Sequence, residues 1–342
     1  MKSNYQPWQI NINDFYKITD EKEKLKFLLN FAVLAPSGHN SQPWEFSIVN
    51  DATVDIFINK ERSLKKGDPQ GRLLLMSFGC LIENLLIAGD FFRVKPTINY
   101  FPSSNPLHVA RVVFEYNGKT SNKKDHLIFQ ITKRHTNRGP YKDQKIPNDF
   151  IALVGQKSNE KVKGQIISDK NLKEAIANLV LESNVVIMDK DYFREELSHY
   201  IKSNFTKSHT GMPGFTLGLP APVSIFASWL IKKTNMSRKS EKADEKLLKQ
   251  GTPAFLIIST QSDKREDWLN TGFFLQNVWL LAQLQGLNCA PFASVIQIPE
   301  FREKLQKALN SNYFPQIVLR VGYPKKEAKA SPRFNIDKIL SG

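Results

Sequence analysis

Residues 35–44 place turn-forming residues, several hydrogen-bonding side chains and one large aromatic ring in a short segment, Ala-Pro-Ser-Gly-His-Asn-Ser-Gln-Pro-Trp. A turn that only joins two elements does not need so many polar groups. We interpret the segment as a loop that binds a polar ligand; an elaborate helix C-cap with Trp44 as a core anchor is the alternative. His39 could suggest a catalytic triad, but no serine-centred elbow accompanies it, so we interpret it as a loop residue.

A second polar cluster occupies residues 133–139, Lys-Arg-His-Thr-Asn-Arg-Gly, at the end of a predicted helix. The guanidinium groups of Arg134 and Arg138, with a hydroxyl and an amide between them, suit a phosphate, which accepts bidentate charge-assisted hydrogen bonds. A charged, solvated helix end explains the same residues, since arginine near a helix C-terminus complements the helix dipole. The residues alone leave both interpretations open.

Hydrophobic periodicity predicts the elements that must position these clusters. The first half is predicted to contain a helix over 20–34, a buried helix over 72–92, and strands over 45–49, 54–58, 97–100 and 109–116. A polar stretch at 118–124 is the predicted linker. The second half is predicted to contain helices over 125–134, 172–187, 192–201, 268–285 and 301–309, and strands over 164–167, 254–260, 289–295 and 317–321.

The two halves resemble each other. Residues 79–84, Gly-Cys-Leu-Ile-Glu-Asn, match residues 272–277, Gly-Phe-Phe-Leu-Gln-Asn, in spacing and character, and each set lies in an apolar helix followed by a strand. This repeated order predicts a duplicated α+β unit, with one half at 1–120 and the other at 121–342. The second half carries an additional segment at about 189–249, which we interpret as an irregular lid; within it, 208–231 is interpreted as buried or lid-forming.

Composition limits the class of protein. The 342 residues carry a net charge of +15, which attracts anions, but the lysines are dispersed and no nucleic-acid-binding motif accompanies them. The two cysteines are too few for a disulfide scaffold or a cysteine zinc site, and their apolar neighbours predict buried free thiols. The first 20 residues lack the apolar core of a signal peptide. We therefore expect a cytoplasmic protein without a nucleic-acid, membrane or metal partner.

Several motifs together resemble the FMN-dependent nitroreductase family. Pro36-Ser37-x-x-Asn40-Ser41-Gln42-Pro43-Trp44 resembles the loop that lies along the isoalloxazine ring, and residues 134–138 resemble the family's Arg-x-Ser-x-Arg/Lys segment. Ser331-Pro332-Arg333 resembles the C-terminal basic motif of the phosphate site. Residues 291–294, Pro-Phe-Ala-Ser, occupy the position where backbone amides approach flavin N5. The family's common acidic residue followed by glycine is Ala293-Ser294 here.

The placement of these motifs is similar to the Acg-like subgroup. Ordinary nitroreductases are homodimers in which one subunit supplies the ring loop and the other supplies the phosphate motif. Here the loop lies in the first half and the phosphate motif in the second, so the resemblance implies a fused pseudo-dimer with one retained FMN site. We expect a nitroreductase-like α+β fold with central antiparallel-type sheets flanked by helices, in a monomer; a homodimer is the alternative.

The resemblance implies roles for particular residues. Arg134, Thr136 and Arg333 would hold the phosphate, and Arg138 would reach the pyrimidine edge of the flavin, where positive charge stabilises the reduced form. No protein nucleophile is implied, because the ring itself carries hydride. The full set implied to bind cofactor is Pro36, Ser37, Gly38, His39, Asn40, Gln42, Arg134, His135, Thr136, Arg138, Pro291, Ala293, Ser294, Ser331 and Arg333.

The resemblance implies an oxidoreductase that passes two electrons from NADH or NADPH, through FMN, to a nitroaromatic, a quinone or a similar small acceptor. Two observations favour an alternative from another class, an FMN-binding or FMN-sequestering protein with little turnover: the predicted lid and the altered strand near N5. A basic nucleic-acid-associated protein is a third hypothesis, supported by net charge alone.

Overall fold

The computed structural model describes residues 3–116 and 125–341. The linker predicted at 118–124 lies outside the described residues. In the first half, the helices are α1 (Glu21–Ala32) and α2 (Arg72–Phe92). The strands are β1 (Trp44–Asn50), β2 (Thr53–Ile58), β3 (Val94–Tyr100) and β4 (His108–Tyr116).

The second half contains more helices. They are α3 (Ile128–Ile131), α4 (Asn148–Lys157), α5 (Lys170–Met188), α6 (Asp191–Tyr200), α7 (Ala221–Lys233), α8 (Met236–Lys249), α9 (Arg265–Leu284), α10 (Ser294–Gln297) and α11 (Pro299–Ala308). The strands are β5 (Val162–Ile167), β6 (Ile201–Lys202), β7 (Met212–Pro213), β8 (Ala254–Thr260), β9 (Asn288–Phe292), β10 (Phe314–Gly322) and β11 (Leu340–Ser341).

The strands form two main sheets with the same internal order. The first sheet runs β11-β1-β2-β4-β3 and the second runs β5-β8-β10-β9. Apart from β11, which pairs with β1 in parallel, every neighbouring pair in both sheets is antiparallel. Matching β1, β2, β4 and β3 to β5, β8, β10 and β9 superimposes the two orders. The topology is therefore that of a duplicated α+β unit, as the sequence predicted.

Two long helices, α2 and α9, pack against each other between the two sheets. A Cβ atom built on Gly79 would lie 2.8 Å from the Cα of Gly272, so side chains at either position would separate the helices. The offset that relates Gly79 to Gly272 also relates Glu83 to Gln276 and Asn84 to Asn277.

Two hydrogen bonds obey this internal symmetry. Gln276 Nε2 donates to Asn84 Oδ1 at 2.6 Å, and Asn277 Nδ2 donates to Glu83 Oε1 at 2.9 Å. Each bond is the symmetry counterpart of the other, since exchanging the two halves converts one pair of positions into the other pair. The repeat thus extends to individual polar contacts in the core.

Helix α2 is as apolar as a membrane-spanning helix because it lies in the protein core. Its length and composition would allow it to cross a bilayer, but 78% of its most apolar window is buried inside the protein. The expectation of a buried helix over 72–92 is confirmed. Cys80 and Cys289 are buried free thiols, also as predicted, and burial raises the pKa of each to about 12.

Four element predictions need correction. The helix predicted over 125–134 is only a short 3-10 turn followed by α3, because the chain leaves helical geometry before Arg134. The strand predicted over 289–295 ends at Phe292 and gives way to α10. Helix α4 was not predicted. The additional segment at 189–249 is not irregular, because α6, α7 and α8 occupy most of it.

Candidate functional site

The loop between α1 and β1 has an unusual backbone. His39, Asn40 and Gln42 have φ values of 50°, 58° and 51°, in the left-handed region that non-glycine residues seldom adopt. The Ser37 hydroxyl accepts a hydrogen bond from Gln42 N at 3.0 Å, which closes the turn. Such backbone strain persists where surrounding contacts over-determine it, and it is concentrated at ligand sites.

Asn40 joins this loop to two distant segments. Its Nδ2 donates to Gly211 O, in the additional segment, and to Pro332 O, in the C-terminal arm, both at 2.9 Å. Gly211 N donates back to Asn40 O at 3.1 Å, and Arg333 Nη1 donates to Asn40 Oδ1. The loop, the C-terminal arm and the tip of the additional segment therefore meet at one residue.

Gln42 makes the second connection. Its Nε2 donates to His209 O at 2.6 Å, and its Oε1 accepts from Phe334 N at 3.0 Å. Arg62 holds the loop from the opposite side, with Nε donating to Gln42 O at 2.8 Å and Nη2 donating to Trp44 O at 2.7 Å. Arg62 was not predicted, because its role depends on a contact across about twenty residues of chain that no local pattern reveals.

Two buried arginines lie beside this loop. Arg134 is 1% exposed and Arg333 is 3% exposed. Both donate to Leu34 O, at 3.2 and 3.4 Å, and the positive charge of Arg134 contributes, after burial, to lowering the pKa of Arg333 well below its usual value. Arg134 Nε and Nη1 and Arg333 Nε have no hydrogen-bond partner, and neither side chain forms an ion pair with any described carboxylate.

Uncompensated burial of two like charges is unfavourable. Each buried donor without a partner costs roughly 1–3 kcal/mol, and burial lowers the pKa of Arg134 to about 10. Aromatic faces supply part of the compensation, since Arg134 stacks on Trp279 at 4.7 Å and Arg333 stacks on Trp8 at 4.8 Å. An anion with several acceptor oxygens would satisfy the remaining nitrogens.

The segment that carries Arg134 continues alongside β9. Thr136 forms a parallel bridge with Cys289, and Asn137 N donates to Cys289 O at 3.2 Å. Arg138 follows, and its Nη2 donates to Met212 Sδ at 3.3 Å. Arg320, which is fully buried, donates from Nη2 to Arg138 O at 3.0 Å and so fixes the backbone beneath Arg138.

Two histidines face these guanidinium groups. Burial, followed by the charge of Arg138, lowers the pKa of His39 to about 4. Burial, followed by the charges of Arg134 and Arg333, lowers the pKa of His135 to about 3. Both imidazoles are therefore neutral at physiological pH, and the positive charge of the site comes from arginine alone.

The remaining predicted positions lie around this centre. Pro36, Ser37, Gly38 and His39 are partly buried, and His39 lies 6.0 Å from Tyr200 and 6.2 Å from Phe193, both on α6. His135 contacts Trp8 edge-on at 4.6 Å, and Ser331 O accepts a hydrogen bond from Trp8 Nε1 at 2.7 Å. Trp8 thus links two predicted positions, although the sequence predicted no role for it.

Residues 291–294 span the end of β9 and the start of α10. Pro291 is exposed, and Ala293 precedes α10. The Ser294 hydroxyl lies 2.9 Å from Ser183 Oγ and donates to Asn184 Oδ1 at 2.5 Å, so it faces α5 rather than the loop at 36–42. No direct hydrogen bond joins these described residues to that loop, which leaves only their backbone groups for the role that the resemblance implies.

The donor set fits the phosphate and polar ring of FMN. The fit rests on the partnerless guanidinium nitrogens of Arg134 and Arg333, with Arg138 and the strained loop beside them. The described residues contain no cluster of three or more His, Cys, Asp or Glu side chains that could hold a metal ion.

Known proteins similar to this chain carry nitroreductase names. Residues 158–323 match the Nitroreductase family model. The putative NAD(P)H nitroreductase acg of Mycobacterium tuberculosis (strain ATCC 25618 / H37Rv) is 26% identical over 332 residues, which cover 92% of this chain and 95% of that protein. The probable NAD(P)H nitroreductase PigM of Serratia sp. (strain ATCC 39006) is 25% identical over 363 residues, covering 96% and 95%.

A solved structure with partial similarity is the FMN and NADPH-dependent nitroreductase NfnB from Sphigopyxis sp. strain HMH, at 14% identity and a TM-score of 0.43, covering 63% of this chain and 98% of that one. The family model matches the segment from β5 to β10, and the two relatives align along almost the whole chain. Both comparisons point to nitroreductases. The chain is therefore similar to nitroreductases along almost its whole length.

Proposed function

We propose that this protein binds one FMN per chain and uses NADH or NADPH to reduce a small electrophile such as a nitroaromatic or a quinone. The observation that carries the proposal is the pair of buried, partnerless guanidinium groups at Arg134 and Arg333 beside the strained loop at 36–42. The names of the relatives support the nicotinamide donor. We also propose that the boundary between the two halves lies near residue 120 and that the chain functions as a monomer.

In this proposal Arg134 and Arg333 bind the phosphate. Their three nitrogens without partners would donate to a phosphate, which has several acceptor oxygens, and charge-assisted hydrogen bonds are about twice as strong as neutral ones. Thr136, held against β9 by its bridge to Cys289, contributes a hydroxyl from the same segment. The loop at 36–42 would hold the ring.

Bound FMN would supply hydride transfer at its ring, which no side chain of this protein can perform. Arg138 would place a positive charge at the pyrimidine edge, and Arg320 fixes the backbone that carries it. Neutral His39 adds no charge of its own, because burial and Arg138 keep its pKa near 4. The protein thus orients the cofactor and sets the local charge.

The test is an absorbance spectrum of the purified protein, before and after anaerobic addition of NADPH. A flavin spectrum that bleaches supports the oxidoreductase. If the protein acquires no flavin even after soaking with FMN, the proposal fails completely.

A second candidate function, FMN sequestration without turnover, has a specific observation in its favour. Gly211 and His209 form hydrogen bonds with Asn40 and Gln42, so the tip of the additional segment lies directly on the loop. A segment held by these bonds would restrict the access of a nicotinamide to a flavin ring bound at this loop. A bound flavin that stays oxidised under NADPH but bleaches with dithionite would favour this candidate over the first.

A further inference from the structure

Helix α7 presents its large apolar side chains to solvent. Val223, Ile225, Phe226 and Trp229 are 46%, 55%, 66% and 63% exposed. The inward positions hold small residues instead, with Ser224 1% and Ala227 3% exposed. A helix on the surface of a globular protein normally has the opposite arrangement, with its apolar stripe towards the core. We call these four outward residues the α7 face.

Packing accounts for the small inward residues. Ser224 Oγ accepts from Asn204 N at 2.9 Å and donates to Ala221 O at 2.7 Å, and a Cβ atom at Gly214 would lie 2.5 Å from Ser224 Cβ. The close approach of α7 to the segment beneath it leaves no room for larger side chains. The helix is therefore fixed in its orientation, and the α7 face cannot turn inward.

The sequence that contains the α7 face is basic. From 201 to 240 the sequence contains no Asp or Glu, and its lysines and arginines are Lys202, Lys207, Lys232, Lys233, Arg238 and Lys239. Lys232 and Lys233 are exposed in the last turn of α7 itself. Lys232 is paired with Glu195 at 2.8 Å, a carboxylate on α6. Arg238 is likewise paired, with Asp189. The sequence on both sides of the helix is therefore basic, with Lys232 and Arg238 partly neutralised by these carboxylates and Lys233 exposed beside the apolar residues.

Apolar anchors that include Trp and Phe, with lysines beside them, are typical of helices that lie in the interface of an anionic bilayer. A second copy of this chain is the less suitable occupant, because self-pairing of the α7 face would bring two sets of these lysines together in a protein of net charge +15. We propose that the α7 face binds the surface of a membrane containing anionic lipid. This inference replaces the expectation of no membrane partner and does not depend on the proposed flavin.

The test is co-sedimentation with vesicles of phosphatidylglycerol and phosphatidylcholine in equal parts, compared with phosphatidylcholine alone. We expect binding to the anionic vesicles that weakens as salt is raised. The double substitution Phe226→Ser with Trp229→Ser should weaken partitioning about a hundredfold, since burying each large apolar side chain contributes about tenfold or more. Lys232→Ala with Lys233→Ala should weaken it about tenfold.

Two matched controls separate this result from general effects. Tyr16→Ser removes an aromatic ring that is 67% exposed in the first half, and Lys22→Ala with Lys145→Ala removes two exposed lysines elsewhere. Neither should change partitioning more than about twofold. Trp229→Phe should retain binding but abolish the part of the tryptophan emission that lipids brominated on their acyl chains quench.

Three outcomes would overturn the proposal. The first is an absence of binding to the anionic vesicles by the wild-type chain. The second is unchanged binding by the Phe226→Ser, Trp229→Ser chain when its thermal unfolding matches that of the wild type. The third is a dimer in sedimentation velocity that the same double substitution converts to a monomer, since that result assigns the α7 face to a second copy.

Discussion

The internal repeat relates the region around Arg134 and Arg333 to a cavity in the other half, and the two regions differ mainly in their charged groups. We call the region around the two arginines the first cleft and its counterpart the second cleft. In the first cleft, Arg134 stacks on Trp279 and lies with Arg333 beside the loop at 36–42. The second cleft is a cavity of about 450 Å³ whose lining includes Glu83, Leu86 and Tyr100. By the repeat, Leu86 corresponds to Trp279, Glu83 to Gln276 and Tyr100 to Ala293.

This difference is the reason that we propose a flavin site in the first cleft only. The cations that line the second cleft, Lys157 and Lys161, are exposed ammonium groups rather than buried guanidinium forks. Glu83 places a carboxylate where the first cleft has the neutral amide of Gln276. The lining of the second cleft therefore lacks the arginine pair that would bind a phosphate.

The largest expected effect comes from removing a guanidinium of the first cleft. Arg134→Met fills a similar volume without charge, and it should weaken FMN binding at least about a hundredfold because two or more charge-assisted hydrogen bonds are lost. The stability of the FMN-free protein should not fall, since the substitution also removes a buried charge without a partner.

Lys161→Met, in the second cleft, is the matched control and should leave FMN affinity unchanged. The measurements are isothermal titration with FMN and thermal unfolding without it. A large loss of stability in the FMN-free Arg134→Met chain would indicate that Arg134 has a structural role rather than the role assigned here.

The next prediction concerns the segment that closes the first cleft only. Gly211 has a φ of 89°, and a Cβ atom there would lie 2.5 Å from Tyr200 O. Gly211→Ala should therefore displace the tip from Asn40, and we expect FMN to dissociate roughly tenfold faster, as strain of about 1–2 kcal/mol would produce.

Gly218→Ala provides the control, because Gly218 has a φ of 75° but no atom within 4 Å of a built Cβ. It imposes similar backbone strain without a clash. Both dissociation rates can be measured by stopped flow, with an excess of an apoflavodoxin that captures the released FMN. Equal FMN dissociation rates for the two variants would show that the tip does not help to retain FMN.

The two clefts also differ in titratable groups, because histidines occur beside the first but not in the lining of the second. Burial depresses the pKa of His39 from 6.5 to about 4, so the unfolded chain binds a proton at a higher pH than the folded chain does. Stability is therefore fully present above pH 6.5 and falls as the pH drops towards 4.

As the pH falls from 6.5 to 5, His39 should lower the free energy of unfolding by about 1–2 kcal/mol, after allowance for its partial exposure. Urea unfolding of the FMN-free protein at pH 7 and pH 5 measures the difference, and His39→Asn should reduce it. A variant with the same pH dependence as the wild type would contradict the assigned cause.

The smallest effect is expected in the second cleft. Glu83→Gln makes this position match Gln276, yet it supplies no guanidinium group, so we expect no second FMN to bind. Equilibrium dialysis with excess FMN checks this. Binding of a second flavin would mean that the carboxylate, and not the missing arginines, distinguishes the clefts.

Local motifs allowed much of this to be predicted. The loop at 36–42 and Arg134 stand out by residue type and spacing, and the predicted helix over 72–92 and strand over 254–260 have the observed bounds. The roles of Arg320 and Trp279 at the site were not predicted, because they depend on contacts between residues far apart in the chain. The orientation of helix α7 was not predicted, because its large apolar residues point outward instead of into the core.

The most direct test of the account is the stoichiometry of FMN. Titration of flavin-free protein with FMN, followed by flavin fluorescence, should saturate at one FMN per chain, and Arg134→Met should abolish that binding at the same concentrations. Saturation at two FMN per chain, or no saturable binding by the wild-type chain, would contradict the assignment of a single retained site.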